Sequence, residues 1–500
     1  MIIHKDYYLN LFVVIYFILI CYFQINTQHW TAVPDQDTVV IYNSLLVANN
    51  IQQEYLDHPS YSLFLVNAIF LKLLDFLGIV QINFIKEINE TEDFDNKFQS
   101  IFYILKIINL IVFSLSIFVF KKIMKILHFS FHQIVISILI ILLNYYTLKS
   151  FFLLRSEPIA ILFFLMSFYF ILVFNIKQKL KYLFLFSAFM TLSILSKMQL
   201  YLNYFFLFLF LFSQCKDYKI SNIPILFKKS KYVYSLNFFI LFFYLIFVTL
   251  LSYSDRFNDE VLLEKYLIYV ISIVIFYLFF IKNLKMNDYF FKINQILLLI
   301  FISISLTVVF FLFLDFFNLY AFNPRIILRL FLPIYYLLIF VSEPSAYTLF
   351  LQRNEMIFPD MVTFLYFIFI IILGSIYLVR NFDLKTLKKE NLHFYLYLMI
   401  IFVFLSFFFR ATYFYLIIFS CLILSNHLLG KKSLLFHYII LFIFAANIVI
   451  NFHKIDRFYN LTDNINNICV NHDDIRSYMR YWHQRFDDKF LDKFCEIEYK

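Results

Sequence analysis

Two carboxylates separated by one residue, Asp35 and Asp37, follow the first apolar run of the sequence in the stretch W-T-A-V-P-D-Q-D that begins at Trp30. A carboxylate at such a place can take a proton from a hydroxyl nucleophile. The pair can equally hold a divalent cation, Mg or Mn, through oxygen ligands; no other cofactor is implied. The same spacing also arises where aspartates cap helices in a solvated loop, so the neighbours decide. Tyr55, Asp57, His58 and Pro59 lie further along the same loop. Arg155 and Glu157 open a later apolar run, Lys197 closes the next, and Arg410 precedes another. Cations at such positions can bind phosphate, or anchor helix ends by extending their charged heads to water.

These residues need elements to position them, and the composition says what kind. Of 500 residues, 63% are hydrophobic and 15% charged, and Phe 73, Tyr 38 and Trp 2 together make 113 aromatics. A water-soluble fold has too little interior for so many rings, so the interior must be a bilayer. With Gly 3 and Pro 8, glycine-rich phosphate loops are excluded. Apolar runs near the roughly 20 residues that cross a hydrocarbon core occur at 7–25, 102–124, 131–148, 158–175, 182–196, 199–214, 233–253, 265–281, 293–318, 326–342, 361–379, 392–409, 412–428 and 433–451. The expected fold is an all-α polytopic transmembrane bundle of about 13 helices, with residues 1–451 as the membrane domain, an outer loop with juxtamembrane helices over about 26–100, and a small polar tail at 452–500. The first run has no small-residue cleavage site after it and reads as an uncleaved helix. Segment 61–82, interrupted by Lys72 and Asp75, reads as an interfacial helix.

The formal charge of +9 does not point to nucleic acid, because the lysines cluster between apolar runs, as at Lys121-Lys122, Lys228-Lys229 and Lys431-Lys432. Such clusters mark the cytoplasmic side. Strict alternation of single spans, however, puts Lys388-Lys389 and Lys431-Lys432 on the wrong side. One element between 286 and 360 must therefore not cross, and segment 343–358 is the expected exception. With that correction Arg410 and the tail face outside.

The loop resembles the first outer loop of the GT-C superfamily of membrane glycosyltransferases, in its protein mannosyltransferase, aminoarabinose transferase and related bacterial lipopolysaccharide glycosyltransferase branches. There an acidic pair is followed some twenty residues later by a Tyr and an H-P-P motif. Here His58 follows Asp37 by 58 − 37 = 21 residues, with Gln36 between the acids and Ser60 in place of the second Pro. Arg155 with Glu157, and Lys197, resemble the charged residues that the family carries at the ends of its middle spans. Arg410, ahead of Thr412 and Tyr413, resembles its late Arg; Arg325 and Arg329 are rival matches. The resemblance implies an enzyme of the bacterial inner membrane that transfers a sugar, with inversion, from a polyprenyl-phosphate donor to a lipid, glycan or protein acceptor at the outer face. Asp35 or Asp37 would be the base, and Tyr55, Asp57, His58, Glu157, Arg155, Lys197 and Arg410 would bind substrate. Other functions for an aromatic helical bundle are a glycan polymerase or ligase, or a flippase for lipid-linked oligosaccharide. Transporters place charges or Gly/Pro breaks at mid-span, whereas here the polar residues gather at helix ends.

The remaining polar residues read as structural. His128, His132, His393, His427 and His437 are scattered without metal-ligand spacing. Asp315 is the exception: inside an apolar run it would be functional if buried in the bilayer, and otherwise lies near the outer end of its span. The five Cys have no CxxC spacing, and Cys469 and Cys495 could pair within an outer tail.

Overall fold

A computed structural model describes residues 2–27, 29–30, 37–54, 60–88, 91–144, 147, 153–197, 200–215, 218–219, 228, 233, 236, 288–322, 366, 368–376, 391–406, 411–450 and 489–490. Among these residues the regular structure is helical, with no strand. In chain order the α-helices are α1 (Ile2–Thr27), α2 (Val39–Ala48), α3 (Tyr61–Phe76), α4 (Phe94–Ile126), α5 (Phe131–Leu142), α6 (Glu157–Lys177), α7 (Leu180–Ser196), α8 (Tyr201–Ser213), α9 (Asp288–Phe316), α10 (Asn391–Ser406), α11 (Ala411–Leu429) and α12 (Ser433–Ile450). A helical stretch also covers 368–376. The expected spans at 233–253, 265–281 and 326–342, and segment 343–358, lie essentially outside the described residues.

In hydrocarbon a backbone must satisfy its own hydrogen bonds, and a continuous apolar run free of Gly and Pro does so as a helix. Phe94–Ile126 with 33 residues, Glu157–Lys177 with 21 and Phe291–Phe316 with 26 are long and apolar enough to cross a membrane. Broad apolar faces remain exposed on the surface, including Ile18, Leu19 and Tyr22 on α1, Leu306 and Phe310 on α9, and Leu435 and Phe442 on α12. Faces of that kind are stable against lipid and not against water. The chain is an integral membrane protein. At 1.5 Å per residue α4 is about 50 Å long, more than a hydrocarbon thickness of about 30 Å requires, and its first turns carry other structure. Within the expected span 131–148, α5 ends at Leu142, Asn144 bonds back to Ile141 O, and its side chain accepts from the N–H of Thr147, which is again helical, at 3.2 Å.

With few glycines for close approach, serine hydroxyls tie the helices together. Ser62 donates to Leu192 O at 2.7 Å, Ser193 to Ala160 O at 2.8 Å, and Ser167 to Phe186 O and Ser303 to Phe184 O at 3.0 Å each. All four bonds involve α7, which thereby holds α3, α6 and α9; each is worth about 0.6–2 kcal/mol in a membrane.

Side-chain ties also show which helix ends lie together. Lys125 is paired with Asp6 and Lys121 donates to Asn10, joining the start of α1 to the end of α4. Gln133 caps α5 together with Ser130 and donates to Ser433 Oγ at 2.9 Å and Gly430 O at 3.3 Å. The end of α4 with Lys121, Lys122 and Lys125 therefore shares one end of the bundle with the Gly430–Lys432 turn, as the side assignment required. Gly430 has φ +51° there, which favours glycine. Residue 411, next to Arg410, starts α11 and lies at the opposite end. Arg410 itself falls outside the described residues.

The core has two parts. A large one runs through the bundle. A second gathers Trp30, α2, α3, the first half of α4, the start of α6 and Phe490. The whole of α2 is buried, and α3 is buried over its first half but exposes Phe76 and Leu77, which suits an interfacial helix with one end in lipid or headgroups. Lys72 on α3 donates to Asn50 and to the Leu319 carbonyl, and its ammonium lies 4.2 Å from the Tyr320 ring, binding α3 to the end of α9. Burial, and secondarily the charge of Lys86, lower its pKa below the ordinary lysine value. Asp315 lies in the last turn of α9 and accepts from the Phe322 N–H at 3.0 Å.

Gly374 lies against Tyr397 of α10, and a Cβ there would overlap the Tyr397 ring. Gly374→Ala is expected to destabilise the protein by about 1–3 kcal/mol, read as a lower thermal midpoint in detergent. An unchanged midpoint would show that this contact does not form.

Candidate functional site

The site is built on a helical hairpin. α6 runs from Glu157 to Lys177, Gln178 turns the chain at φ +52°, and α7 returns to Ser196. Ser156 and Pro158 start α6 because neither position needs to supply an intrahelical N–H. Two antiparallel arms of similar length bring residue 157 back beside residue 197. Lys197 Nζ donates to Glu157 Oε1 at 3.0 Å, with the side chains 7% and 4% exposed. Glu157 also lies at the N-terminus of α6 and Lys197 at the C-terminus of α7, where each charge meets a helix dipole of the opposite sign.

A second buried pair lies next to the first. Lys106 Nζ, from the first half of α4, is 2.7 Å from Asp37 Oδ2, and the two side chains are 1% and 2% exposed. The other oxygen, Asp37 Oδ1, accepts from the Leu154 N–H at 2.6 Å. Asp37, just ahead of α2, thereby ties α4 to the segment that leads into Arg155 and Glu157. Asn109, one turn beyond Lys106, donates to Leu153 O at 3.4 Å and reinforces the same joint.

Arg155 lies between the two pairs. Its Nη1 is 3.9 Å from Glu157 Oε1, and its Nε is buried with no hydrogen-bond partner among the described residues. It borders a narrow cleft between α2, α3, α4 and α6, whose walls include Val40, Val66, Leu105 and Ile108 with the amides of Asn67 and Asn109. Among the described residues three cations, Lys106, Arg155 and Lys197, thus meet two carboxylates, Asp37 and Glu157. Buried charge of that kind is costly unless it is paired, and an under-bonded guanidinium beside an apolar cleft suits an anionic group carried on an apolar body.

Of the residues expected from the sequence, Asp37, Arg155, Glu157 and Lys197 are brought to one end of the bundle. Asp35, Tyr55, Asp57, His58, Arg410, Arg325 and Arg329 lie outside the described residues. Asp37 has one partner on each oxygen, Lys106 Nζ and the Leu154 N–H. Among the described residues no three His, Cys, Asp or Glu side chains converge as metal ligands. His437 is buried in α12, with Nε2 2.8 Å from Ser425 Oγ, and joins α12 to α11. Lys106 is the participant that motif reasoning passed over. Its signal was the isolated charge in I-L-K-I-I-N-L, inside an apolar run, where an ionisable residue is functional by default.

No protein-family model matches the sequence, and no curated protein or solved structure matches it. The resemblance to GT-C enzymes stands on the motif residues alone.

Removing one member of a buried ion pair leaves a charge without a partner and costs about 3–5 kcal/mol, whereas replacing both by apolar groups is often neutral. Lys106→Met and Asp37→Asn are each expected to lower stability by that amount, and Asp37→Leu/Lys106→Met to recover most of it, by thermal unfolding in detergent. A double variant as unstable as the sum of the two singles would contradict the pairing.

Proposed function

We propose that the protein is a multi-pass glycosyltransferase of the bacterial inner membrane. It moves a sugar, with inversion, from a polyprenyl-phosphate donor to a lipid, glycan or protein acceptor at the outer face. The observation that carries this reading is Arg155, whose Nε has no hydrogen-bond partner among the described residues, next to an apolar cleft at the end of the bundle opposite the lysine-rich turns. The positive-inside rule puts those turns in the cytoplasm, which turns the charge cluster outward.

In this reaction the acceptor oxygen attacks the anomeric carbon, the bond from that carbon to the phosphate oxygen breaks, and the proton of the acceptor hydroxyl passes to a carboxylate. The phosphate stays on its lipid, and Arg155 binds it through the guanidinium fork. Asp37 is committed to Lys106 and Leu154. The base is therefore Asp35, with Asp37 holding the loop that presents it. Glu157 and Lys197 keep Arg155 in place.

The test is transfer by the purified protein in lipid from a panel of polyprenyl-phosphate sugars. Asp35→Asn is expected to lower kcat by about 10²–10⁴-fold, and Arg155→Ala to raise KM for the donor. Transfer at the full rate by Asp35→Asn would remove the proposed base. Absence of transfer from every donor would remove the reaction.

A further inference from the structure

The second core contains a side chain from far along the sequence. Phe490 is 1% exposed, and its ring centroid is 4.6 Å from that of Tyr42 on α2, 5.6 Å from Phe98 and 6.2 Å from Phe94 on the first turns of α4. The socket is rigid from behind. Trp30 lies 4.5 Å from Phe98, donates through Nε1 to Asp95 Oδ1 at 2.7 Å, and its backbone N–H donates to Gln99 Oε1 at 2.8 Å. On the other side Tyr42 donates to Glu54 Oε1 at 3.1 Å, and the Glu54 N–H returns to Asn43 Oδ1 at 2.9 Å. Residue 490 comes 40 positions after α12 ends at Ile450 (490 − 450), yet its ring completes a socket made by residues 30–98.

We infer that Phe490 is an anchor by which the C-terminal part of the chain clamps α2 onto α4. α2 is only 10 residues long and has no side-chain N-cap, so it depends on packing for its position. Its N-terminal side carries Asp37, five residues before Tyr42 (42 − 37), and through Asp37 it reaches Lys106 and the Leu154 backbone. Phe490 is thus a positioning residue for the buried charge cluster from the far end of the sequence. The inference rests on packing and does not depend on the reaction proposed above.

Hydrogen exchange of the full-length protein in lipid nanodiscs tests it. In Phe490→Ala the amides of 39–48 are expected to exchange about 10- to 100-fold faster, those of 134–142 at the wild-type rate, and Phe490→Leu to fall between. Unchanged exchange over 39–48 overturns the clamp. An equal acceleration in both regions also overturns it, because Phe490 would then support the whole fold and not α2. If Phe490→Ala does not accumulate, a Tyr42→Cys/Phe490→Cys variant with Cys469 and Cys495 replaced by Ser supplies the decision. Crosslinking by mild oxidation or a short bifunctional thiol reagent supports the clamp, and a folded double variant that fails to crosslink overturns it.

Discussion

Charges buried in an apolar bundle have no water to fall back on, and here the buried charge comes in pairs that double as joints. Lys106 and Asp37 join α4 to the loop before α2 and, through the Leu154 N–H, to the start of α6. Glu157 and Lys197 join the open ends of α6 and α7. Each pair costs desolvation when it forms and more when it is broken, so the two hold the helix ends in a single arrangement. Arg155 lies beside Glu157 and borders the cleft, and its Nε has no hydrogen-bond partner among the described residues.

The way the ends are sorted follows from the same scarcity of charge. At one end the lysines of α4 and of the Gly430–Lys432 turn gather with Asp6, Asn10 and Gln133. At the other end Trp30 and the aromatic and aliphatic residues of α2 form a core of their own on the first turns of α4. The length of α4 connects the two regions, because one rigid helix carries Lys121 at one end and Phe94 at the other.

Much of this could be read from the residues in order. Apolar runs bounded by Lys or Asn gave helix limits within a few residues for α6, α7, α11 and α12, since in a bilayer the hydrophobic pattern and the backbone requirement agree. The neighbourhood of Glu157 and Lys197 was legible because two antiparallel arms around Gln178 return the chain to its starting level. The break after Leu142 in the 131–148 run comes from Asn144, whose side chain accepts from the Thr147 N–H, a local bond that hydropathy does not register. Lys106 was not legible as a site residue because it stands alone inside an apolar run, and its partner lies 69 residues earlier (106 − 37). Nothing local distinguishes Phe490 from the other 72 phenylalanines (73 − 1), because its role comes from a long-range contact.

The Glu157–Lys197 hairpin has a consequence for how such a chain can change over time. Each residue inserted in a helix turns everything beyond it by about 100° and moves it 1.5 Å. A one-residue insertion in α6 alone would therefore swing Glu157 away from Lys197 or drag the Gln178 turn out of place. The two arms can lengthen or shorten only in compensating steps, whereas residues on their lipid-facing surfaces can be exchanged freely among apolar types. Among distant descendants of this chain, conserved arm length should outlast conserved sequence in α6 and α7.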